Sequence, residues 1–244
     1  MPPFYPEIVV SVSMALIVGN LSSQELTPHD VAQVLARMAD RSYPSLKARV
    51  DGPAILIGTH RLVVTPILEN SGQQQATWGA GVRFEVAIDG RSEPSLTLGG
   101  VGTDTTRGGA LRMAVVSYAA NVGVALLATF ADPAAGYSVG EYRAYSGIAV
   151  DRGLASPDLV AASSRDAQAR MLAALEPTVM SYARDSITAL SVLVEVDTTG
   201  PIGGECSLGG RRIDSALPAL YALPWPRTGG SYLHKVTYVL VRQR

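Results

Sequence analysis

The sequence has a single cysteine, Cys206, among its 244 residues, so it has no internal disulfide. Its three histidines, His29, His60 and His234, are too far apart to give a local zinc spacing, and neither a structural metal nor a cofactor is expected. Charge is scarce as well: 17% of the residues are Asp, Glu, Lys or Arg, against a typical ~25%. Only Lys47 and Lys235 are lysines, and 20 basic residues face 21 acidic ones, so no positive field exists to hold nucleic acid or anionic lipid. A phosphate-binding Walker loop is missing too, because no Gly-Lys-Ser/Thr follows any glycine-rich stretch.

What is abundant is apolar surface. Hydrophobic residues make up 47% of the chain and the mean hydropathy is +0.19, enough for one large domain or two small ones. Ile8 to Val18 is uncharged but shorter than the ~17–25 residues a bilayer requires. Its β-branched residues favour a buried strand, with a targeting segment as the alternative. Met113 to Ala131 runs for nineteen residues without a charge and meets the length criterion for a membrane span. Asn121, Gly123, Ser117 and several alanines weaken that reading, whereas Leu111, Val115, Ala119, Val122 and Leu126 recur at helical spacing. The expectation is therefore a core helix enclosed by protein in a soluble, cytoplasmic molecule, with a membrane span as the alternative.

Local signals order the rest. Thr27 and Pro28 read as the N-cap and first residue of a helix whose apolar face is Val31, Val34, Leu35 and Met38. Residues 54–68 are β-rich, as one hairpin or one kinked strand, and Glu69 to Gln75 reads as a polar surface loop. Val82 to Asp89 alternates as a half-buried strand closed by Asp89-Gly90, and Ser95 to Leu98 reads as another short strand. Asp132 to Ser156 is broken by Pro133 and several glycines and reads as a connector. Beyond it, Ser163 or Ser164 caps a helix through about Leu175, with Pro177 kinking or ending it. Strands at 187–196, 205–208 and 232–241 follow, with a short helix at 213–223. The last strand is apolar on both faces and suits a central position.

Shifting the chain by 110 residues lays Val82–Gly100 over Val192–Gly210 with seven identities in nineteen positions. Both copies read as strand, turn, short strand, Leu-Gly-Gly and helix, which suggests an internal duplication, with convergent turn chemistry as the alternative. The run Gly204-Glu205-Cys206-Ser207-Leu208-Gly209-Gly210, then Ala216-Leu217, Trp225-Pro226 and Lys235-Val236-Thr237-Tyr238-Val239, resembles the carboxy-terminal part of an uncharacterised bacterial domain-of-unknown-function family. Gly100-Val101-Gly102-Thr103-Asp104 with Ala110-Leu111 resembles that family's glycine-led turn into its long helix. The resemblance implies a bacterial origin and an α+β fold, and no activity.

Several constellations could carry function. Gly100, Gly102, Thr103 and Arg107 precede the long helix, where backbone amides favour an anion; the structural alternative is a turn with Thr103 or Asp104 as cap. Cys206, His234 and Asp214 supply a nucleophile, base and orienter if the fold joins them, and a packed thiol and imidazole if it does not. Glu85 and Glu195 occupy matching places in the 110-residue repeat, yet alternation points both to solvent. Tyr137, Tyr142, Arg143 and Tyr145 have the composition of a protein contact surface. Trp225, between Pro224 and Pro226, suits either a partner contact or a plug at the core edge, and the plug is favoured.

The expected fold is thus α+β, with antiparallel sheet from both halves packed on helices 28–40, 108–130 and 165–180. An N-terminal half (1–131), a connector (132–164) and a C-terminal half (165–244) form one compact unit. The expected function is non-enzymatic binding, of a protein partner for instance. A hydrolase or transferase using the glycine turn or Cys206 is the second reading, and membrane association through 113–131 the third.

Overall fold

The computed structural model describes residues 25–147, 150–152, 164–226 and 230–243. The segment at 8–18 lies outside them. Helix α1 (Pro28–Ser42) starts as its sequence predicts: the Thr27 hydroxyl accepts the Asp30 N–H, and the Asp30 carboxylate accepts the Thr27 N–H at 2.9 Å. That reciprocal cap satisfies donors the first turn leaves open. Its buried stripe, Val31, Val34, Leu35 and Met38, lies on the first of two antiparallel sheets formed by the described residues.

This first sheet runs β1 (Arg49–Asp51), β2 (Ala54–Ile57), β3 (His60–Gln74), β4 (Thr77–Ile88) and β5 (Arg91–Ser92), with β6 (Leu98–Asp104) beside β4. Residues 69–75, expected as a loop, belong mostly to the β3–β4 hairpin, which stays paired from Asn70 opposite Gly81 to Gln74 opposite Thr77. The arm extends past the core, so both its faces are wet and its side chains carry no alternation. The expected strand Ser95–Leu98 is a 3-10 turn at Pro94–Leu96 followed by β6.

The glycines ahead of the long helix are also strand rather than turn. A β-carbon on Gly100 would sit 2.2 Å from the Ala114 carbonyl oxygen, and one on Gly102 would sit 2.1 Å from that of Ala110. Their missing side chains let helix α2 (Arg107–Ala131) lie with its backbone against β6. This helix is sandwiched. Its first half packs on β4 and β6, while its second half meets α1 on one side and the second sheet on another. Length and composition alone would let it cross a membrane, yet 72% of its most apolar window is buried within the protein. A helix walled on most sides needs no polar face. At Ala119–Gly123 it widens into a π turn.

The second sheet has the order β12 (Arg211–Arg212), β11 (Pro201–Leu208), β10 (Ile187–Val196), β13 (Tyr232–Arg242), β8 (Tyr142–Ser146) and β7 (Tyr137–Val139), with β9 (Val150–Arg152) also paired to β13. The region expected as a connector therefore supplies three strands of this sheet. β13 is central, as its apolar composition predicts. Helix α3 (Arg165–Tyr182), capped by Ser164, covers the outer face through Met171, Leu172, Leu175 and Val179. It does not stop at Pro177. Leu175 and Val179 are both buried against the sheet, and that burial holds the helix together across an exposed proline. A short helix, α4 (Leu217–Tyr221), precedes β13.

The 110-residue shift lays strand β4 on strand β10 but the Pro94–Leu96 turn on strand β11. Like elements meet at a shift of 120. The Glu93 N–H donates to the Val86 carbonyl and the Ile213 N–H to that of Cys206, while Ile88 pairs with Arg91 as Leu208 does with Arg211. The same hairpin-and-3-10 geometry thus occurs once in each sheet. The whole is α+β.

Candidate functional site

Between the two halves lies a cleft of about 650 Å³, within the ~300–1,000 Å³ usual for small-molecule sites. Its floor is the last turns of α2, where Val124, Ala128 and Ala131 present short apolar side chains. One wall is the Tyr43-Pro44-Ser45 turn that ends α1, and the other is β7 and β8 with Tyr137, Ala144 and Tyr145. Arg165 and Gln168, from the first turn of α3, close one end.

The walls are held by hydrogen bonds from the tyrosine hydroxyls. The Tyr145 hydroxyl donates to the Pro133 carbonyl at 2.7 Å and that of Tyr137 to Gln168 Oε1 at 3.3 Å. Burial raises the pKa of both phenols, so both remain protonated donors at neutral pH. The Arg165 guanidinium lies 5.6 Å from the centre of the Tyr137 ring, which places a cation on an aromatic face at the rim. Behind the wall, Arg143 Nη1 donates to the carbonyls of Ala134 and Gly136 at 3.0 and 3.2 Å, and its Nε donates to Gln243. Arg143 thereby fixes the turn that follows α2.

The four residues expected as a contact surface thus divide by role. Tyr137 and Tyr145 line the cleft, Arg143 braces it, and Tyr142 is buried elsewhere. The Tyr142 hydroxyl donates to the Asp185 carbonyl and accepts from Arg242. Trp225 sits at the edge of the second core, its ring 5.3 Å from that of His234 and its indole N–H donated to the Leu220 carbonyl. It plugs the core edge.

The proposed nucleophile, base and orienter are not brought together. Cys206 on β11 faces Val192 and His234 on β13 faces Val194, so strand β10 separates them. Burial pushes the Cys206 thiol up to about 12, which removes the thiolate a nucleophile needs. Asp214 is exposed and ion-paired with Arg212 at 2.5 Å. Glu85 and Glu195 lie on different sheets and are exposed.

The anion-binding expectation meets a different helix start. Thr106, not Thr103 or Asp104, is the N-cap of α2 and accepts the Gly109 N–H at 3.0 Å. Asp104 accepts the Thr106 N–H at 2.9 Å, and that bond holds its carboxyl below the usual range. The protein's own carboxylate thus occupies the helix end. Arg107 lines a hollow with Glu25, Leu26, Pro66, Leu68 and Leu111, to which neither Gly100 nor Gly102 contributes. Among the described residues no group of three or more His, Cys, Asp or Glu side chains could hold a metal.

Sequence reasoning found Tyr137 and Tyr145 and missed Tyr43, the floor and the cation. Ala128 and Ala131 belong to a run whose small side chains signal close packing as readily as a binding floor, and Arg165 reads as an ordinary charge in a helix's first turn.

The model of a family of unknown function, DUF6348, matches residues 49–242, taking in both sheets and leaving α1 outside. No curated protein and no solved structure shows significant similarity to the chain.

Proposed function

We propose that this chain, which belongs to the family of unknown function DUF6348, is a non-enzymatic binding protein of the bacterial cytoplasm. Its cleft takes apolar side chains of a protein partner, with an acidic residue of that partner meeting Arg165. The observation that carries the reading is the cleft itself: an alanine and valine floor between aromatic walls, with a guanidinium at the rim. Tyrosine and arginine are the residues most favoured where binding energy concentrates. A separation of Cys206 from His234 by a whole strand, with the thiol protonated, argues against covalent chemistry at the second sheet. A lone buried cysteine suits a reducing compartment.

The test uses the purified protein and anilinonaphthalene sulfonate, a fluorescent probe with an apolar aromatic body and one acidic group. Fluorescence should rise on binding to the wild type. Ala128→Trp, which fills the floor, should abolish the rise while leaving the melting temperature and circular dichroism unchanged, and Arg165→Glu should weaken it. A probe that does not bind, or binds equally to Ala128→Trp, overturns the assignment. A small molecule retained in the native mass spectrum and lost from Ala128→Trp would overturn the protein-partner part.

A further inference from the structure

The aromatic cleft crosses a break in the edge of the second sheet. β7 pairs with β8 from Tyr137 opposite Ala144 to Val139 opposite Tyr142, so Tyr145 and Ser146 run on beyond its first residue. Continued, that register would set Ala135 opposite Ser146. Ala135 sits in a turn instead, its N–H donated to the Asp132 carbonyl at 3.0 Å, and both Ala135 and Ser146 line the cleft. Arg143 holds the turn through the carbonyls of Ala134 and Gly136.

The direction of the Ser146 backbone follows from its neighbours. Gly147 donates its N–H to the Thr237 carbonyl and Gln243 donates its own to that of Glu141, so the odd-numbered residues on the β8 line exchange bonds with β13. The even-numbered residues turn their N–H and C=O groups the other way. For Ala144 the partner on that side is Tyr137. For Ser146 no described residue takes that place: its hydroxyl donates to the Gly147 carbonyl, and its backbone N–H and C=O face the position Ala135 has vacated.

Two faces of the sheet meet in this break. Val124 and Ala128 of α2 reach it from the inner side, as does Tyr145, whose register partner Val239 belongs to the first core. Tyr137 and Ala144 belong to the face under α3, where Arg165 lies over the Tyr137 ring. No described carboxylate is ion-paired with Arg165. An extended chain sends successive side chains to opposite faces. A segment lying beside Ser146 therefore turns one side chain to the apolar α2 floor and the next to the guanidinium.

We infer that the cleft receives its partner as an added β-strand, an extended segment of a partner protein in which apolar and acidic residues alternate, bonded through its backbone to the Ser146 N–H and C=O. The inference rests on the cleft being the binding site and specifies how it is filled. Strand addition of this kind draws affinity from main-chain bonds and specificity from alternate side chains.

The test is displacement of anilinonaphthalene sulfonate from the full chain by the peptide acetyl-Val-Glu-Val-Glu-Val-amide. Two analogues are N-methylated, one on its valine nitrogens and the other on its glutamate nitrogens. Alternate amides of a strand point to opposite sides. One analogue should thus compete as the parent does and the other about fivefold more weakly, the loss of a backbone hydrogen bond. Ser146→Pro deletes an N–H that β13 does not use, and should weaken the parent peptide by about the same factor while leaving probe affinity and melting temperature unchanged. Should Ser146→Pro fail to fold, the two analogues decide alone. No displacement by the parent peptide, or equal competition by both analogues, overturns the strand addition while the probe still binds. A probe that does not bind overturns the cleft reading itself, and this inference with it.

Discussion

Gly147 lies against the backbone of Asn121 so closely that a β-carbon at position 147 would be 1.8 Å from the Asn121 carbonyl oxygen. The Gly147 N–H donates to the Thr237 carbonyl at 2.7 Å. One glycine therefore joins the π turn of the central helix to the middle strand of the second sheet, at the point where the two halves meet. A methyl group there has no flexible neighbour to displace, because the atoms it meets are backbone. Gly147→Ala should lower stability by about 1–3 kcal/mol or more, read as a shift of the urea midpoint. An unchanged midpoint would show that the helix and sheet are not in contact as described.

The glycines of β6 give a paired comparison. Gly102→Ala would place its β-carbon 2.1 Å from the Ala110 carbonyl oxygen, whereas Gly72 in the β3–β4 arm has open space around it. Urea melts should show Gly102→Ala destabilised by about 1–3 kcal/mol and Gly72→Ala unchanged or more stable by up to ~1 kcal/mol. Equal behaviour of the two variants would contradict the backbone contact between β6 and α2.

The start of α2 carries a pH signature. Asp104 is held below its ordinary value of 3.8, chiefly by the Thr106 N–H. A lowered carboxyl pKa contributes stability that is present above the unfolded value and lost as pH falls through the folded one. Acid titration of Asp104→Asn should therefore show a shallower loss of stability below about pH 4 than the wild type. At neutral pH, Thr106→Ala should cost ~1 kcal/mol as an N-cap lesion. A wild-type acid limb identical to that of Asp104→Asn would remove the cap from the account.

Cys206 is predicted to resist alkylation by iodoacetamide in the native state and to react at once in denaturant. Its thiol is raised from 9.0 to about 12 by burial, with the nearby Glu205 carboxylate adding to the shift. Between those values the folded protein holds a proton that the unfolded chain has lost, so stability should fall by ~1.4 kcal/mol per pH unit as pH rises. Cys206→Ala should flatten that part of the alkaline limb. Rapid native alkylation at pH 8 would show that the thiol is reachable and would reopen a nucleophilic role.

Across the junction, the Ser95 hydroxyl donates to the Asp185 carboxylate at 2.7 Å. Ser95→Ala should cost about 1.5–3 kcal/mol, the range for a hydrogen bond to a charged group. A double-mutant cycle with Asp185→Asn, measured by urea unfolding, should recover a coupling of the same sign. No coupling would mean the contact contributes nothing to holding the halves together.

Much of this protein is written in short stretches of sequence. Thr27-Pro28 and Ser164 start their helices because capping is a matter of a few adjacent residues. Val82 to Ile88 alternates and closes at Asp89-Gly90, both at positive φ, because pleat and turn are equally local. The nineteen uncharged residues announce a helix buried on most sides. Tertiary structure decided the rest. The polar arm beyond Leu68 is strand only because its partner strand is there to pair with it. Gly100 and Gly102 mark a close approach whose other party, the α2 backbone, is invisible from the glycines themselves. Pro177 should break a helix, and burial of the residues either side overrides it. The cleft residues Tyr43, Ala128, Tyr145 and Arg165 come from four separate segments of the chain. Local chemistry fixes which segments are helices and strands, but which surfaces meet depends on backbone pairing and packing between residues far apart in the chain.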